Sequence, residues 1–308
     1  MRVLVTGARG QVGTCLLSSL RPLGEILAAT RDGQGTSGNR AMAMDLARPD
    51  TLADVLDAAH PDLIVNAAAY TAVDRAESEP ELAHRINAAA VGAMGHWAAQ
   101  HDVPVVHYST DYVFPGDAAR ALREDEPTGP QGVYGLSKLE GEHALARSGA
   151  KHLILRTAWV YAAHGHNFLH TMLRLGAERE VLTVVDDQHG TPTSAKLIAD
   201  TTSRVLAHWL AADTSTRRVQ SGVYHLVAGG QTTWCGFARA IFARAVAAGL
   251  LDRAPRVDAI TTAKFPTPAK RPAWSVLDTS RIREVFGVSL PDWGVGLDGV
   301  IEELAAHR

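Results

Sequence analysis

Short apolar runs alternate with longer helical patterns along this chain. Val3–Thr6, Ile26–Ala29, Leu63–Asn66, Val103–Tyr108, His152–Arg156 and Val223–Val227 are dominated by apolar residues and predict buried strands. Between them, Gln11–Leu20, Asp50–Ala59, Pro80–Gln100 and Val133–Arg147 carry helical spacing, and Pro61 stops the second of these. Val300–His307 predicts a final helix, while Asp117–Gln131 and the proline-rich Arg253–Pro272 read as loops. Strands alternating with helices predict βαβ units, hence an α/β fold built on a Rossmann-type doubly wound parallel sheet.

Composition narrows the function classes. The net charge of −3 and the scattered Lys and Arg leave no basic patch for nucleic acid or for an acidic membrane surface. No apolar run is long enough to span a bilayer, and no leader pattern is expected at the N-terminus. Cys15 and Cys235 are far apart, which excludes a disulfide framework or a cysteine zinc site and fits a reducing, cytoplasmic setting.

Candidate chemistry begins at Gly7-Ala-Arg-Gly10-Gln11-Val12-Gly13, which follows a strand and opens a helix. Glycines there let backbone N–H groups approach a pyrophosphate at a helix N-terminus, so a dinucleotide is expected. An acid at the end of the next strand would select NADH, but the chain reads Thr30-Arg31-Asp32. Arg31 favours NADPH, with Asp32 keeping NADH open. Ser109-Thr110-Asp111 runs off a predicted buried strand, and ligands bind beyond the carboxyl ends of such strands. A turn built from Ser, Thr and Asp chemistry is the structural alternative. Tyr134 and Lys138 share one helix face, so the ammonium is expected to lower the phenol's pKa and make it a usable proton donor for carbonyl reduction. None of the other five tyrosines has a lysine four residues on. His164, His166 and His170 crowd one segment without carboxylates and are read as surface histidines.

Together these motifs resemble the extended, nucleotide-sugar branch of the short-chain dehydrogenase/reductase superfamily. The runs 65–83, 105–116 (VVHYSTDYVFPG), 133–142, 156–162 (RTAWVYA), 167–175, 186–193 (DDQHGTPT) and 224–230 resemble, within it, the dTDP-4-dehydrorhamnose reductase family. That resemblance implies an oxidoreductase taking dTDP-4-dehydro-L-rhamnose to dTDP-L-rhamnose, a cell-surface polysaccharide precursor. It implies catalysis by Thr110, Tyr134 and Lys138, with Thr110, Asp111 and Trp159 on the sugar. A buried core role is the alternative for Trp159. It also implies a cofactor site formed by Gly7, Gly10, Gln11, Val12, Arg31, Asp45, Leu46, Ala69, Tyr70, Thr71, Tyr134 and Lys138. Asn167, Phe168, Gln188, Thr191 and Arg271 are implied nucleotide contacts, and Asn87 matches a structural position. Residues 1–158, with 194–228 returning, would form the NAD(P)-binding domain; 159–193 and 229–308 would bind the sugar nucleotide. A homodimer stays open. Some members hold magnesium between subunits through glutamates, but the matching positions here are Cys15 and Lys196, so no metal is expected. Two rivals remain: an epimerase or dehydratase of the same branch, and a non-catalytic regulatory subunit. Tyr112 stands where dehydratases carry a glutamate, and the complete Thr110, Tyr134, Lys138 set favours an enzyme.

Overall fold

A computed structural model describes residues 1–35 and 40–307; residues 36–39 and 308, which fall within the two expected domains, lie outside the described residues. The chain's main sheet is formed by β1 (Arg2–Thr6), β2 (Glu25–Thr30), β3 (Met42–Ala43), β4 (Leu63–Asn66), β5 (Val105–Thr110), β6 (His152–Thr157) and a late strand at Gly222–His225. Their order is late strand, β6, β5, β4, β1, β2, β3, with every pairing parallel. The order reverses between β1 and β4, which opens a crevice at their carboxyl ends. β4 and β5 are buried at every residue, as an apolar run covered on both faces should be.

Helices cover both faces. α1 (Gln11–Ser19) contributes Leu16 to one core, together with residues of a later helix at Ala195–Ala211. On the other face lie α2 (Leu52–Ala59) and the region predicted as one helix over Pro80–Gln100. That region follows the short α3 (Val73–Ala76) and is three pieces: α4 (Pro80–His84), a π-helical turn at Arg85–Ala89 and α5 (Ala90–Gln100). The wide turn carries the buried Asn87, whose side chain bonds the Tyr70 backbone twice and Ser137 Oγ once. Ser137 belongs to α6 (Val133–Arg147), so Asn87 ties a loop of the crevice to that helix.

Beyond β6 the chain builds a second core. It holds α7 (Phe168–Glu178), α10 (Trp234–Ala247) and α12 (Trp293–Ala306), with β8 (Val181–Val185) paired to β13 (Arg256–Ile260). The remaining elements are β7 (Val160–Tyr161) with β10 (Thr193–Ser194), β9 (His189–Gly190) with β12 (Thr232–Thr233), α8 (Ala195–Ala211), α9 (Thr214–Val219), β11 (the late strand Gly222–His225) and α11 (Ser280–Phe286). β13 corrects the reading of Arg253–Pro272 as irregular throughout. Its residues alternate weakly in burial, and its partner β8 lies far back in sequence, so no local pattern marks the pairing. Among the described residues no helix is long and apolar enough to cross a membrane.

Candidate active site

Gly7 follows β1 with φ +65°, and a Cβ there would sit 2.7 Å from the Ala68 amide nitrogen. Only glycine fits that left-handed turn at so close an approach to the β4 loop. Gly10 then opens α1 without any side-chain cap, so its first N–H groups stay free for an anion. The resulting crevice has a volume of about 670 Å³. Gly7, Gly10, Gln11 and Val12 line it, as do Arg31, Asp45, Leu46, Ala69 and Thr71. Tyr70 does not: its hydroxyl donates to Glu79 Oε2 at 2.7 Å and its backbone is held by Asn87. Arg9, which nothing in the glycine motif singles out, also lines the crevice. It donates to both carboxylate oxygens of Asp32 at 2.9 Å. The Gln34 amide and then Arg9 hold Asp32 below the usual carboxylate range. Asp32 is therefore committed to a guanidinium, and two arginines border the crevice where an acid would stand for NADH.

The same crevice receives Thr110, Asp111, Tyr134, Lys138 and Trp159. Thr110 ends β5, and its hydroxyl donates to Asp111 Oδ1 at 2.9 Å. Asp111 Oδ2 and Ser109 Oγ are buried without a partner, polar groups whose bonds a ligand can complete. Burial pushes Asp111 up to about 6. Tyr134 stands on the first turn of α6, whose Val133 N–H donates to Glu77 Oε1 at 2.9 Å. The rings of Tyr134 and Tyr112 meet in a T, with centroids 5.5 Å apart and an interplanar angle of 77°.

Lys138 departs from expectation. Its Nζ donates to the Tyr108 carbonyl at 2.6 Å and lies 3.1 Å from His107 Nε2. Burial pulls Lys138 down to about 7, with the Glu142 charge opposing, and burial pushes Tyr134 up despite its bond to Thr110. The lowered phenol pKa predicted from helical spacing is absent in the protein alone, because loss of solvent outweighs an ammonium that points elsewhere.

Trp159 is half-buried and packs against the apolar cluster of Val113, Phe114 and Leu277 as well as facing the crevice. It follows β6 with φ +47°, a conformation that costs a bulky side chain of order 1–3 kcal/mol, and it borders the crevice. Its ring stacks on Trp234 at 3.6 Å and an interplanar angle of 4°. Trp234 also lines the crevice, and nothing in its TTWCGF context marks it. Arg271 is there too, donating to Asp74 Oδ2 at 2.8 Å. The other implied nucleotide contacts do not line it. Asn167 caps α7 and donates to Gln11 Oε1, Phe168 packs on Trp234, Gln188 donates to Thr262, and Thr191 to the Gly230 carbonyl. Of the three crowded histidines, His166 is exposed, whereas His164 and His170 are half-buried, with His164 Nε2 3.3 Å from the Gln11 carbonyl oxygen. Lys196 pairs with Asp200 at 2.8 Å, and no group of three or more metal-capable side chains occurs among the described residues.

The site's residues lie in a chain with close relatives. The family described as RmlD substrate binding domain matches residues 1–306. The dTDP-4-dehydrorhamnose reductase of Burkholderia thailandensis is 47% identical over 309 residues, covering 100% of both chains. That of Escherichia coli K12 is 45% identical over 304 residues, covering 99% of this chain and 98% of its own. The Bacillus anthracis dTDP-4-dehydrorhamnose reductase, solved in complex with NADP, superposes with a TM-score of 0.86 at 32% identity, covering 98% of this chain and 99% of its own. With a glycine loop, a strand-end threonine and a Tyr-Lys helix around one crevice, and with this likeness along its whole length, the chain belongs to the dTDP-4-dehydrorhamnose reductase family.

Proposed function

We propose that this chain reduces the C4 ketone of dTDP-4-dehydro-L-rhamnose to the alcohol, giving dTDP-L-rhamnose, with NADPH preferred to NADH. The observation that carries this reading is the meeting of Thr110, Tyr134 and Lys138 in the crevice that the glycine loop also lines. Gly7, Gly10, Gln11 and Val12 would hold the pyrophosphate, Asp45 and Leu46 the adenine, Arg31 with Arg9 the 2′-phosphate, and Ala69 and Thr71 the nicotinamide side. The nicotinamide, once bound, supplies the hydride. Tyr134 gives its phenolic proton to the C4 oxygen as negative charge develops there. Thr110 donates to the same oxygen. Lys138, as an ammonium, would stabilise the phenolate left behind through space and offer its remaining donor to the nicotinamide ribose. Asp111 and Trp159 orient the sugar. Carbonyl, hydride and proton together balance the alcohol formed.

Residues 1–158 with 194–228 would hold the dinucleotide, and 159–193 with 229–308 the sugar nucleotide; the core of α7, α10 and α12 supports a second unit, while Ile282, Phe286 and Val288 pack in the first core. The two free cysteines support a cytoplasmic setting. The test follows nicotinamide absorbance with dTDP-4-dehydro-L-rhamnose and either cofactor. Turnover favouring NADPH is expected, and no turnover with either would end the assignment. Tyr134→Phe should keep NADPH affinity and lose about 10²-fold or more in kcat.

A further inference from the structure

A buried polar row lies under the catalytic helix, and the mechanism above does not use it. β1, β4 and β5 are neighbours in the sheet, and their register sets Thr6 beside Asn66 and Asn66 beside His107. Thr6 Oγ1 is 2.6 Å from Asn66 Oδ1, Asn66 Nδ2 is 3.0 Å from His107 Nδ1, and His107 Nε2 is 3.1 Å from Lys138 Nζ. Exposure is 0% for His107, 1% for Thr6 and Asn66, and 2% for Lys138. Positions at the centre of a parallel sheet are normally apolar, and polar groups so deep are tolerated only when bonded to each other. The far end of the row reaches the cofactor loops. Thr6 directly precedes Gly7, and its hydroxyl accepts from the Ala68 N–H at 3.2 Å.

Donor counting shows what the row can do. An ammonium has three donors and no acceptor. One donor of Lys138 goes to the Tyr108 carbonyl. A second can go to His107 Nε2 only if that nitrogen is bare. The neutral ring then carries its proton on Nδ1 and must donate it to an Asn66 oxygen, which turns the Asn66 amide nitrogen toward Thr6. The opposite amide orientation, which is the one the structure shows, faces its nitrogen to Nδ1, puts the proton on Nε2 and suits an uncharged Lys138. Amide oxygen and nitrogen exchange places by a half-turn, so the row has two self-consistent settings, one for each protonation state of the lysine.

Resting on the reductase reading, we propose that His107 is a positioning residue for Lys138: its neutral imidazole, oriented by Asn66 and Thr6, accepts from the ammonium, fixes it at the site and keeps it charged during turnover. Burial and then the Lys138 charge hold His107 well below its ordinary range, so it stays a neutral acceptor. Besides His107 and the Tyr108 carbonyl of β5, the charged group acting on Lys138 is Glu142 of its own helix, itself paired with Arg156 of β6.

Two measurements decide it. His107→Leu removes the acceptor, so Lys138 should lose its proton more readily. The alkaline limb of kcat/KM should move down by about one pH unit, and above the limb turnover should fall about tenfold. His107→Gln, which offers an amide oxygen near the place of Nε2, should return the limb toward the wild-type position. A limb unmoved in both variants, with only a uniform loss of rate or stability, overturns the proposal. Should the leucine variant fail to fold, wild-type enzyme with ¹⁵N-labelled imidazoles answers without turnover. The ring whose signals vanish in His107→Gln should show a protonated Nδ1 and a bare Nε2 on the acid side, exchanging tautomers as pH rises. A ring fixed with its proton on Nε2, or one that becomes imidazolium near neutrality, overturns the proposal. Wild-type enzyme inactive on the sugar ketone would instead remove the reductase reading, and the imidazole signals would still judge His107.

Discussion

Arg9 and Asp32 divide a task that a linear reading assigns to Arg31 alone. The carboxylate that could accept from a ribose hydroxyl is occupied by the Arg9 guanidinium, and both arginines border the crevice. Guanidinium groups match a phosphate in geometry as well as charge. Arg31→Ala should therefore raise the KM for NADPH about tenfold and leave NADH nearly unchanged. Arg9→Ala should shift the balance further, because it removes one cation and also frees Asp32 for the ribose of NADH. The ratio of kcat/KM values for the two cofactors is the readout, and equal effects of both variants on both cofactors would refute the division. Lys138 gives the second prediction at this scale. In the proposed reaction it acts as an ammonium, and burial has pulled it down to about 7. The charged form prevails below that pH and is lost as pH rises through it. The pH profile of kcat/KM, which reports the free enzyme, should therefore fall on the alkaline side of neutrality. A profile flat well above neutrality would show that Lys138 keeps its proton by contacts other than those described.

Among the elements, α6 carries Tyr134 and Lys138, the proposed proton donor and its partner, and is the least ordinary helix. It buries Ser137, Lys138 and Glu142 alongside Gly135, Leu139, Gly141 and Leu145, so no single apolar stripe announces which face is inside. Gly135 lets it approach the Tyr112 carbonyl more closely than any Cβ would permit. Glu142 reaches Arg156 of β6 through two bonds, 2.9 Å from Nε and 2.7 Å from Nη2, with both side chains under 5% exposed. Removing one partner of such a pair strands the other as a buried charge. Glu142→Gln should lower stability by about 3–5 kcal/mol, seen as a lower urea midpoint at unchanged m-value. A loss below about 1 kcal/mol would mean that Arg156 finds another acceptor or water. The contrast with the strands explains what was legible. β1, β4, β5 and β6 stand out because burial on both faces makes most of their positions apolar, with buried polar groups admitted only where they bond one another. Thr110 is visible because it breaks the apolar run of β5, and the Tyr-Lys pair because its spacing of four puts both side chains on one helix face. The π-helical turn, the β8–β13 pairing, Trp234 and the Arg9–Asp32 bond depend on partners distant in sequence or on one added residue in a turn, and no local periodicity encodes either.

At the scale of the whole molecule, the crevice is crossed by two polar ties. Asn167 of the second core's first helix cap donates to Gln11 of the glycine loop, and Arg271 of the proline-rich segment donates to Asp74 beside the β4 loop. Arg271 also donates to the Tyr112 hydroxyl at 3.3 Å, which places a cation beside the ring that packs on Tyr134. The Arg271–Asp74 pair is partly exposed, at 28% and 39%, so as a tie alone it should contribute under about 1 kcal/mol. A diphosphate-linked sugar brings two negative charges that compete with Asp74 for the same guanidinium. If Arg271 serves the substrate, Arg271→Ala should raise the KM for the sugar nucleotide about tenfold or more, with kcat at saturation and the KM for NADPH little changed. Asp74→Ala should then do the opposite, freeing the guanidinium and lowering that KM. If the pair were only a tie between the two halves, both variants would act alike, and each would change KM by less than about fivefold. Steady-state kinetics on the two single variants separates the cases, because the substrate reading requires their effects to differ in sign.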